Sequence, residues 1–426
     1  MMKRPPSIRW SRRLPVRWEA DVAVIGGGIA GVSAALAAAK SGARVVLVER
    51  FAVTGGVMTT GGVGNFCGEM GAQGEVFDEI AAGLRAFGAL GECDRETAYG
   101  RETTFDHEIL AVVLQETLLR RGVKLLLHAR FVDARVTRGR VTECVVAGAS
   151  GAEALRARVF VDCTGEAAVA RAAGFATMKG RPGDGLQLPM SMMFFVREMP
   201  GRVKPQVPRG WFGRIRRETD LPMTGARPNG PGGKAVKVKV PRFDSTDTES
   251  LTAVEIRARR RMMEVLDYFQ RVEKKPWRFD RASAIIGIRE GRRIVGDYVL
   301  TVDDLRRARA FEDAVARGTY TLDAHSPGDD KRTYVLPANE RVVPPYQIPW
   351  RTLVAKDGRN LAMAGRCFSA DQLALSSARV ATTASMLGQA AGIGAALAAK
   401  RQCDLRDVDG REVRRIVVRR GARLDI

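Results

Sequence analysis

The hydrophobic and polar positions follow two different patterns along the chain. Residues 21–175 and 341–400 alternate short, fully apolar runs with stretches of small residues, which is typical of buried parallel strands and their crossover helices. Residues 176–340 are interrupted by prolines, glycines and scattered aromatic residues. The pattern predicts an α/β fold with a central parallel sheet, whose two parts, 1–175 and 341–426, flank an inserted α+β domain at 176–340.

The same patterns predict individual elements. Apolar residues at spacings of three and four predict helices over residues 76–90, 105–122, 250–272 and 303–317. Asp106 would cap the second of these helices, and Asp303 or Asp304 would cap the last. Successive strands between residues 123 and 163 predict a β-meander. Residues 360–400 predict a strand, a glycine turn and one long helix of small residues.

Residues 21–50 carry the clearest motif. Gly26, Gly28 and Gly31 have the spacing G-x-G-x-x-G between a strand and a helix, and Glu49 ends the next strand. Gly26 permits a tight turn, Gly28 lets a pyrophosphate approach the backbone, and Gly31 lets the helix pack closely on the sheet. The helix N-terminus offers N–H groups and a partial positive charge to that phosphate.

An acid at Glu49 could bond both hydroxyls of an adenosine ribose, which favours FAD or NAD over NADP. The unit therefore predicts dinucleotide binding. The alternative is a βαβ unit of small residues that binds no ligand. No second strand–G-x-G-x-x-G–helix unit occurs, so one dinucleotide is expected.

The chain is long and strongly basic. Its 426 residues can form one large domain or two modest ones. The balance of 69 basic to 48 acidic residues gives a formal net charge of +21. That surplus suits nucleic acid, an acidic membrane surface or an anionic substrate. Because the basic residues are spread over the whole chain, often beside acids, we favour an arginine-rich overall composition as its cause.

The cysteines and histidines restrict the chemistry. No two of the six cysteines have a C-x-x-C or C-x-x-x-x-C spacing, and there are three histidines. This argues against an iron–sulfur cluster, a zinc site built from a local cysteine pair, and a redox dithiol. The cysteine usage suits a reducing cytoplasm, and we predict a cytoplasmic location.

Two observations argue against membrane targeting. The basic lead of residues 1–20 contains Arg12 and Arg13, but Glu19 and Asp21 precede the first apolar run, which is the first strand. A twin-arginine signal needs an apolar region there. No run of about 18 apolar residues free of charges and glycines occurs, so we predict no membrane span.

Four segments together resemble the family of FAD-dependent oxidoreductases related to the glutathione-reductase and fumarate-reductase flavoproteins. These segments are GGGIAG at 26–31, TGGVMTTGGVG at 54–64, VFVDCTGEAAVA at 159–170 and NLAMAGRCFSADQLALSSARVATTASMLGQAAG at 360–392. GIREGRRIVGDYVLT and YQIPWRTL resemble middle-region patterns of the family. The resemblance covers most of residues 20–400, and it is specific for fold and cofactor but not for substrate.

The resemblance implies a role for each residue that matches the family's motifs. It implies that Gly26, Gly28 and Gly31 hold the pyrophosphate of a non-covalent FAD, and that Glu49 and Arg50 hold its adenosine. Val132 would contact adenine through its backbone, and Gly165 would close a second phosphate or ribose turn. The remaining implied cofactor contacts are Gly56 and Thr59 at the pyrophosphate, ribityl or flavin edge, and Arg366, Ser369 and the start of the terminal helix at the ribityl and pyrimidine side.

Two departures from related flavoproteins bear on the reaction. Aromatic hydroxylases of this superfold usually carry a Gly-Asp pair before the last helix, where this chain has Gly365-Arg366-Cys367. The W-x-W-x-I-P signature of flavin halogenases is absent. Both departures disfavour oxygen-inserting chemistry. A covalent flavin through Cys67 or His325 is an alternative to the non-covalent one.

Candidate catalytic residues come from the inserted segment and the return to the first pattern. His325 is the first candidate for the acid or base, with Asp323 and Ser326 to orient it; the alternative is a loop histidine bonded to the backbone. Tyr346 is a second candidate. Arg289, Arg292 and Arg293 could bind a carboxylate or phosphate; the alternative is that they pair with Glu290 and Asp297. Cys67 and Cys367 are expected to pack.

Three functions fit these observations. The favoured one is a dehydrogenase, reductase or oxidase that transfers hydride between FAD and a small organic substrate, either anionic or neutral. The second is an FAD subunit that relays electrons to a partner protein carrying metal centres. The third is a flavoprotein that associates with RNA, suggested by the charge of +21 alone. The sequence identifies neither the electron acceptor or donor nor the oligomeric state.

Overall fold

The computed structural model describes residues 8, 11–91, 95–97 and 100–426. Cys93 and part of the basic N-terminal lead lie outside these ranges. The strands are β1 (Val16–Ile25), β2 (Val45–Val48), β3 (Asn65–Cys67), β4 (Arg95–Thr97), β5 (Gly100–Thr104), β6 (Lys124–Leu126), β7 (Arg130–Thr137), β8 (Arg140–Gly148), β9 (Gly151–Asp162), β10 (Thr177–Met178), β11 (Met190–Glu198), β12 (Thr224–Pro228), β13 (Gly233–Val240), β14 (Trp277–Ala282), β15 (Arg293–Ile294), β16 (Ala314–Gly318), β17 (Tyr346–Pro349) and β18 (Leu361–Met363).

The helices confirm most of the predicted ones. They are α1 (Ile29–Lys40), α2 (Glu75–Ala86), α3 (His107–Arg120), α4 (Ala168–Ala172), α5 (Thr248–Arg271), α6 (Val302–Arg306), α7 (Ala338–Arg341), α8 (Gln372–Ala378), α9 (Ala381–Arg401) and α10 (Gly410–Arg419). Asp106 caps α3 as predicted, because its carboxylate accepts hydrogen bonds from the N–H groups of Glu108 and Ile109 at 2.9 and 3.2 Å.

The central sheet is the predicted α/β core. Its strand order is β6-β2-β1-β9-β8-β7, and β18 also pairs with β9. β6, β2, β1, β9 and β18 are parallel, whereas β9, β8 and β7 form the predicted antiparallel meander. The strand predicted from residue 123 onwards is two strands, because the chain breaks at His128, whose φ is +51°. Its first part extends the parallel sheet and its second part joins the meander.

Two small-residue helices pack against each other beside this sheet. A Cβ at Gly388 of α9 would lie 2.1 Å from the carbonyl oxygen of Ala30, and one at Gly392 would lie 2.1 Å from that of Ala34. α1 and α9 therefore approach at backbone distance. This confirms the expectation that small residues let the terminal helix lie close to its neighbour.

A second hydrophobic core lies between Met190 and Ile288. Strands β12-β13-β11-β14 form an antiparallel sheet, here called the roof sheet, and its apolar face packs on α5. The segment from Ile294 to Leu322 packs against the core of the central sheet instead. The predicted domain limits, 176–340, stay a prediction, since this second core covers only their middle part.

Two predicted helices differ from the observed ones. The helix expected at 303–317 ends at Arg306, is capped by Thr301, and Ala314–Gly318 pairs with β17 as a strand. Ala308 has a φ of +44°, which ends the helical run. The long helix expected before residue 400 is two helices, α8 and α9, which meet at 96°. Across the described residues, no single helix is long and apolar enough to cross a membrane. The bent pair α8 and α9 together has the length and the apolar composition of a membrane span.

Candidate active site

A cavity of about 640 Å³ lies at the carboxyl ends of the parallel strands. The turns after β1, β2 and β9 line one side, and the start of α5 and residues 285–292 line the other. The beginning of α9 closes one end. Crevices at this edge of a parallel sheet are the usual ligand sites of such folds, and the volume is within the range of cofactor pockets.

The N-terminus of α1 forms an open cradle in this cavity. Gly26 has a φ of +103°, and a Cβ there would lie 2.4 Å from the Cys163 carbonyl oxygen, so the turn requires glycine. At Gly28 a Cβ would have nothing within 4 Å, and no side chain caps the helix. A phosphate fits this space, because backbone N–H groups and the helix dipole converge on it.

Gly31 has a packing role. A Cβ at Gly31 would lie 1.8 Å from the Gly26 carbonyl oxygen, and the residue is not among those that line the cavity. It allows the turn to fold back on the helix. The phosphate contact implied for Gly31 stays a prediction, whereas Gly26 and Gly28 both line the cavity.

Glu49, whose contact with an adenosine ribose stays a prediction, lines the cavity. Its side chain is buried in the cavity wall, and its carboxylate accepts hydrogen bonds from Gly27 N–H at 2.7 Å and Phe51 N–H at 2.9 Å. Burial raises the pKa of this carboxyl, against the effect of those two N–H groups. Arg50 stacks on Phe51 and pairs with Glu166 at 3.2 Å. Val132, half exposed, lines the same end.

Gly56 and Gly165 line the middle of the cavity, with φ values of +59° and +71°. Two other implied contacts lie behind the cavity wall. The Thr59 hydroxyl donates to the Thr54 carbonyl at 2.8 Å and shapes its own loop. Ser369 is fully buried beside Gly296, where a Cβ would lie 2.9 Å from the Ser369 Cβ.

Two further arginines that line the cavity are Arg366 and Arg379. Arg366 lies beside Gly165, where a Cβ would lie 2.5 Å from its Nη2, and it donates to the Ile288 carbonyl at 2.9 Å, while burial lowers its pKa. Arg379 lines the cavity at the bend between α8 and α9, here called the Arg379 end. The first turn of α9 faces the cavity through Ala381 and Ala384 and contains no acid. A helix N-terminus there favours negative charge on a bound group.

Arg379 belongs to a largely buried group of ionisable side chains, here called the charged cluster. Its members are Cys67, Lys237, Arg289, Tyr320, Asp323, His325 and Arg379, and each influences the pKa of at least one other. They come from β3, β13, the segments around residues 289 and 320–325, and the bend between α8 and α9. The structure therefore joins the predicted His325 and Arg289 to groups that were not predicted.

Asp323 lies at the centre of the cluster. It pairs with Arg379, and His325 Nε2 lies 3.1 Å from its carboxylate. Burial opposes ionisation of Asp323, but His325 and Arg379 outweigh it and lower the pKa of that carboxyl. Burial, helped by Arg289, lowers the pKa of His325 to about 3. His325 is thus a neutral imidazole that donates from Nε2, and its Nδ1 has no partner within the described part of the chain.

Arg289 and Cys67 differ in what they offer. Arg289 is buried, and its Nη1 donates to the Pro189 carbonyl and to the Ser191 hydroxyl, both at 2.8 Å. Its guanidinium keeps further donors for a ligand. Burial raises the pKa of Cys67 to about 11, so it is a thiol and a poor nucleophile for a covalent flavin.

Two predicted catalytic residues lie elsewhere, each in contact with a neighbouring polar side chain. Arg293 pairs with Glu290 and donates to the Gly180 carbonyl at 2.8 Å, which is the ion-pair alternative for this residue. The Tyr346 hydroxyl lies 2.7 Å from Ser377 Oγ in the core, and burial raises its pKa. Neither residue lines the cavity. Arg292, between Arg289 and Arg293, does.

Lys237 and Arg379 are the main groups that sequence reasoning missed. β13 alternates Val236, Val238 and Val240, which face α5, with Lys237 and Lys239 on the other face. Alternation of valine and lysine is typical of a strand with one solvent-exposed face, so the pattern did not indicate that these lysines are covered. Arg379 had no signal either, because its position depends on the bend between α8 and α9.

The chain belongs to the family described as FAD dependent oxidoreductase, whose model matches residues 21–417. FAD is therefore its cofactor, and the cradle at Gly28 fits a dinucleotide. Several solved structures share the fold at a TM-score of 0.50 over 94% of this chain and 67% of theirs. They include CabE, an aromatic hydroxylase from angucycline biosynthesis, at 16% identity, and the anhydrotetracycline hydroxylase OxyS from Streptomyces rimosus, at 14%.

These comparisons confirm the predicted Rossmann-like α/β fold, the enzyme class and the cofactor. They do not place the chain with the glutathione-reductase flavoproteins in particular, since the structures of similar fold include the two hydroxylases named above. At these identities the likeness establishes the fold alone.

Proposed function

We propose that this FAD-dependent oxidoreductase acts on a small organic anion. The anion would bind at the Arg379 end of the cavity, against the charged cluster. The observation that carries the proposal is the surplus of buried positive charge there. Within the cluster, Arg289 and Arg379 are opposed by Asp323 alone, because His325 is neutral and Cys67 is a thiol, and Lys237 adds positive charge whenever its amine is protonated. Buried charge without a counterion costs free energy, and an anionic substrate would offset that cost.

Each residue then has a part that its contacts support. Arg289 would bind a carboxylate of the substrate through its unused donors. Asp323, held by Arg379, fixes the His325 ring. The partnerless Nδ1 of His325 is a hydrogen-bond acceptor, so it would hold a hydroxyl or amine N–H on the reacting carbon. FAD, when bound, supplies the hydride acceptor or donor.

The two alternative functions have less support. Many arginines of the chain pair with carboxylates, for example Arg156 with Glu143 and Arg406 with Asp297. This favours overall composition as the cause of the positive charge rather than a nucleic-acid surface. No group of three or more metal-ligating side chains occurs within the residues described, so relay of electrons would depend on a partner.

The test is anaerobic reduction of the purified holoenzyme by a panel of small carboxylic acids, each compared with its neutral amide. We expect a visible flavin spectrum, FAD released by acid and identified by mass, and bleaching by acids only. Arg289→Met should keep its FAD and lose about 100-fold in the rate of bleaching, because two charge-assisted hydrogen bonds are removed.

Arg278→Met is the matched control. Arg278 lies on β14, the strand that precedes Arg289 in the chain, but its side chain is exposed. This variant should bleach at the wild-type rate. Equal bleaching by acids and amides, or an unchanged rate in Arg289→Met, would contradict the proposal.

A further inference from the structure

Lys237 and Lys239 occupy neighbouring positions on one face of β13 but have different surroundings. They pair with Met193 and Ser191 of β11, on the face opposite the apolar core. Lys239 is 1% exposed, and its ammonium donates to the carbonyls of Ser326, at 3.3 Å, and Arg332. Lys239 is therefore fully engaged in holding the loop that follows His325.

Lys237 has no such partner. Its amine makes no hydrogen bond and no ion pair with any residue that the structure describes, although the side chain is half-buried. A long, flexible cation held without partners in a partly buried place loses solvation and gains nothing in return. This absence distinguishes Lys237 from its neighbour on the same strand.

The charged and titratable groups that most influence Lys237 come from several separate segments. They are Arg227 on β12, Cys67 on β3, Arg289 after β14, and Asp323 and His325 after β16. Arg227 pairs with Glu102, and Asp323 pairs with Arg379, so these charges offset each other. Arg289 and Lys237 remain as cations without a carboxylate partner among the described residues.

We propose that the substrate is a small organic dianion, such as a dicarboxylate, with one anionic group on Arg289 and the other on Lys237. The inference rests on the proposed function and deepens it, because a monoanion would satisfy Arg289 and leave the amine of Lys237 without a partner. Lys237 thereby becomes a residue that determines specificity, on a strand that also supplies the structural Lys239.

The electrostatics of the unliganded site agree with this assignment. Burial, together with the positive charge of Arg289, lowers the pKa of Lys237 to about 7. An anionic group beside the amine would favour its protonated form and raise that pKa again. Binding of a dianion near or above neutral pH should therefore take up a proton.

The experiment is calorimetric titration of the FAD-loaded protein with malonate, succinate and glutarate, and with the monoamide of each. At pH 6.5 we expect at least one dianion to bind about 10-fold more tightly than its monoamide. At pH 7.5, titrations in two buffers of different ionisation enthalpy should reveal proton uptake for the dianion and none for the monoamide.

Lys237→Met and Lys237→Gln should bind both members of the pair with the affinity that the wild type has for the monoamide, without proton uptake. The control is Lys234→Met, also on β13, whose ammonium lies 3.8 Å from Glu198 outside the cluster. It should keep the preference. A preference for the dianion that survives in both Lys237 variants would overturn the inference.

The outcomes separate this inference from the proposed function. If the wild type bound monoamides and dianions with equal affinity and Arg289→Met bound neither, the role of Lys237 would be overturned. The anion site at Arg289 would remain. Failure of every acid to bind or to bleach the flavin would overturn both. Thermal melting of each variant identifies any loss of affinity that comes from unfolding.

Discussion

The cofactor cradle and the charged cluster differ in how their function is encoded. The cradle works through missing side chains, because Gly26 and Gly28 leave room for a turn and for a phosphate. Their spacing is local and is therefore visible in the sequence. The charged cluster works through side chains that come from β3, β13, the segments around 289 and 320–325, and the bend at Arg379. No spacing rule joins these residues, and only the folded chain brings them together.

The largest expected effect comes from adding one carbon at Gly31, where the turn packs on α1 behind the cradle. In Gly31→Ala the new Cβ would lie 1.8 Å from the Gly26 carbonyl oxygen, and helix packing prevents retreat. We expect the apoprotein to lose about 3 kcal/mol of unfolding free energy, as in severe overpacking, despite the better helix propensity of alanine. Urea denaturation of the FAD-free protein measures this loss.

Gly28→Ala separates packing from cofactor binding. The new methyl group would meet nothing within 4 Å and would enter the space assigned to the pyrophosphate. Apoprotein stability should change by less than about 1 kcal/mol, the scale of a helix N-cap substitution, while FAD affinity falls. Equal destabilisation by both variants would show that the two glycines do not have the separate roles assigned here.

The sequence was informative where one local rule decided the structure. The glycine spacing and Glu49 predicted the cofactor edge of the sheet, and Asp106 predicted a helix cap. It failed where tertiary pairing decided. Ala314–Gly318 pairs with β17 instead of extending a helix, and the helix before residue 400 bends by 96°. That bend places Arg379 in the site, so its role could not be read from the sequence.

The same limit applied to the candidate catalytic residues. Chemical character alone selected His325, Arg289, Arg293 and Tyr346, and the fold places the first two in the charged cluster and the other two in packed interiors. Arg289 and Arg293 lie four residues apart, yet Arg293 pairs with Glu290, whereas Arg289 has no carboxylate partner among the described residues. Burial and pairing are properties of the folded chain.

The second expected effect tests the charged cluster through pH. The pKa of His325 is about 3 in the folded chain and about 6.5 when unfolded, so the unfolded state binds more protons between these values. Stability should therefore fall as pH is lowered, by roughly 2 kcal/mol between pH 7 and pH 5 from this group. Asp323 titrates below this window, since its pKa is lowered further from an already acidic value.

His325→Gln keeps an N–H for Asp323 and removes the titration. Its unfolding free energy should depend less steeply on pH between 7 and 5 than that of the wild type, by about the same 2 kcal/mol, in urea denaturation at both values. The lowered pKa of His107 affects both proteins alike. Parallel pH profiles would mean that the pKa of His325 is the same in the folded and the unfolded chain, which would contradict the lowered pKa on which its neutral state at pH 5 depends.

The smallest expected effect compares two tyrosines that meet at Ser377. The Tyr346 hydroxyl forms a hydrogen bond with Ser377 Oγ in the core, and Ser377 donates to the backbone carbonyl of Tyr320. Tyr320 belongs to the charged cluster, and its hydroxyl donates to Glu102 at 3.1 Å. Tyr346→Phe should cost about 1 kcal/mol, the value of one hydrogen bond, and leave flavin bleaching unchanged. Tyr320→Phe should cost a similar amount and slow bleaching, because it removes a donor beside Cys67. If Tyr346→Phe slowed bleaching while its melting temperature stayed near that of the wild type, the purely structural role of Tyr346 would be wrong. Tyr346 would then have to be counted with the charged cluster.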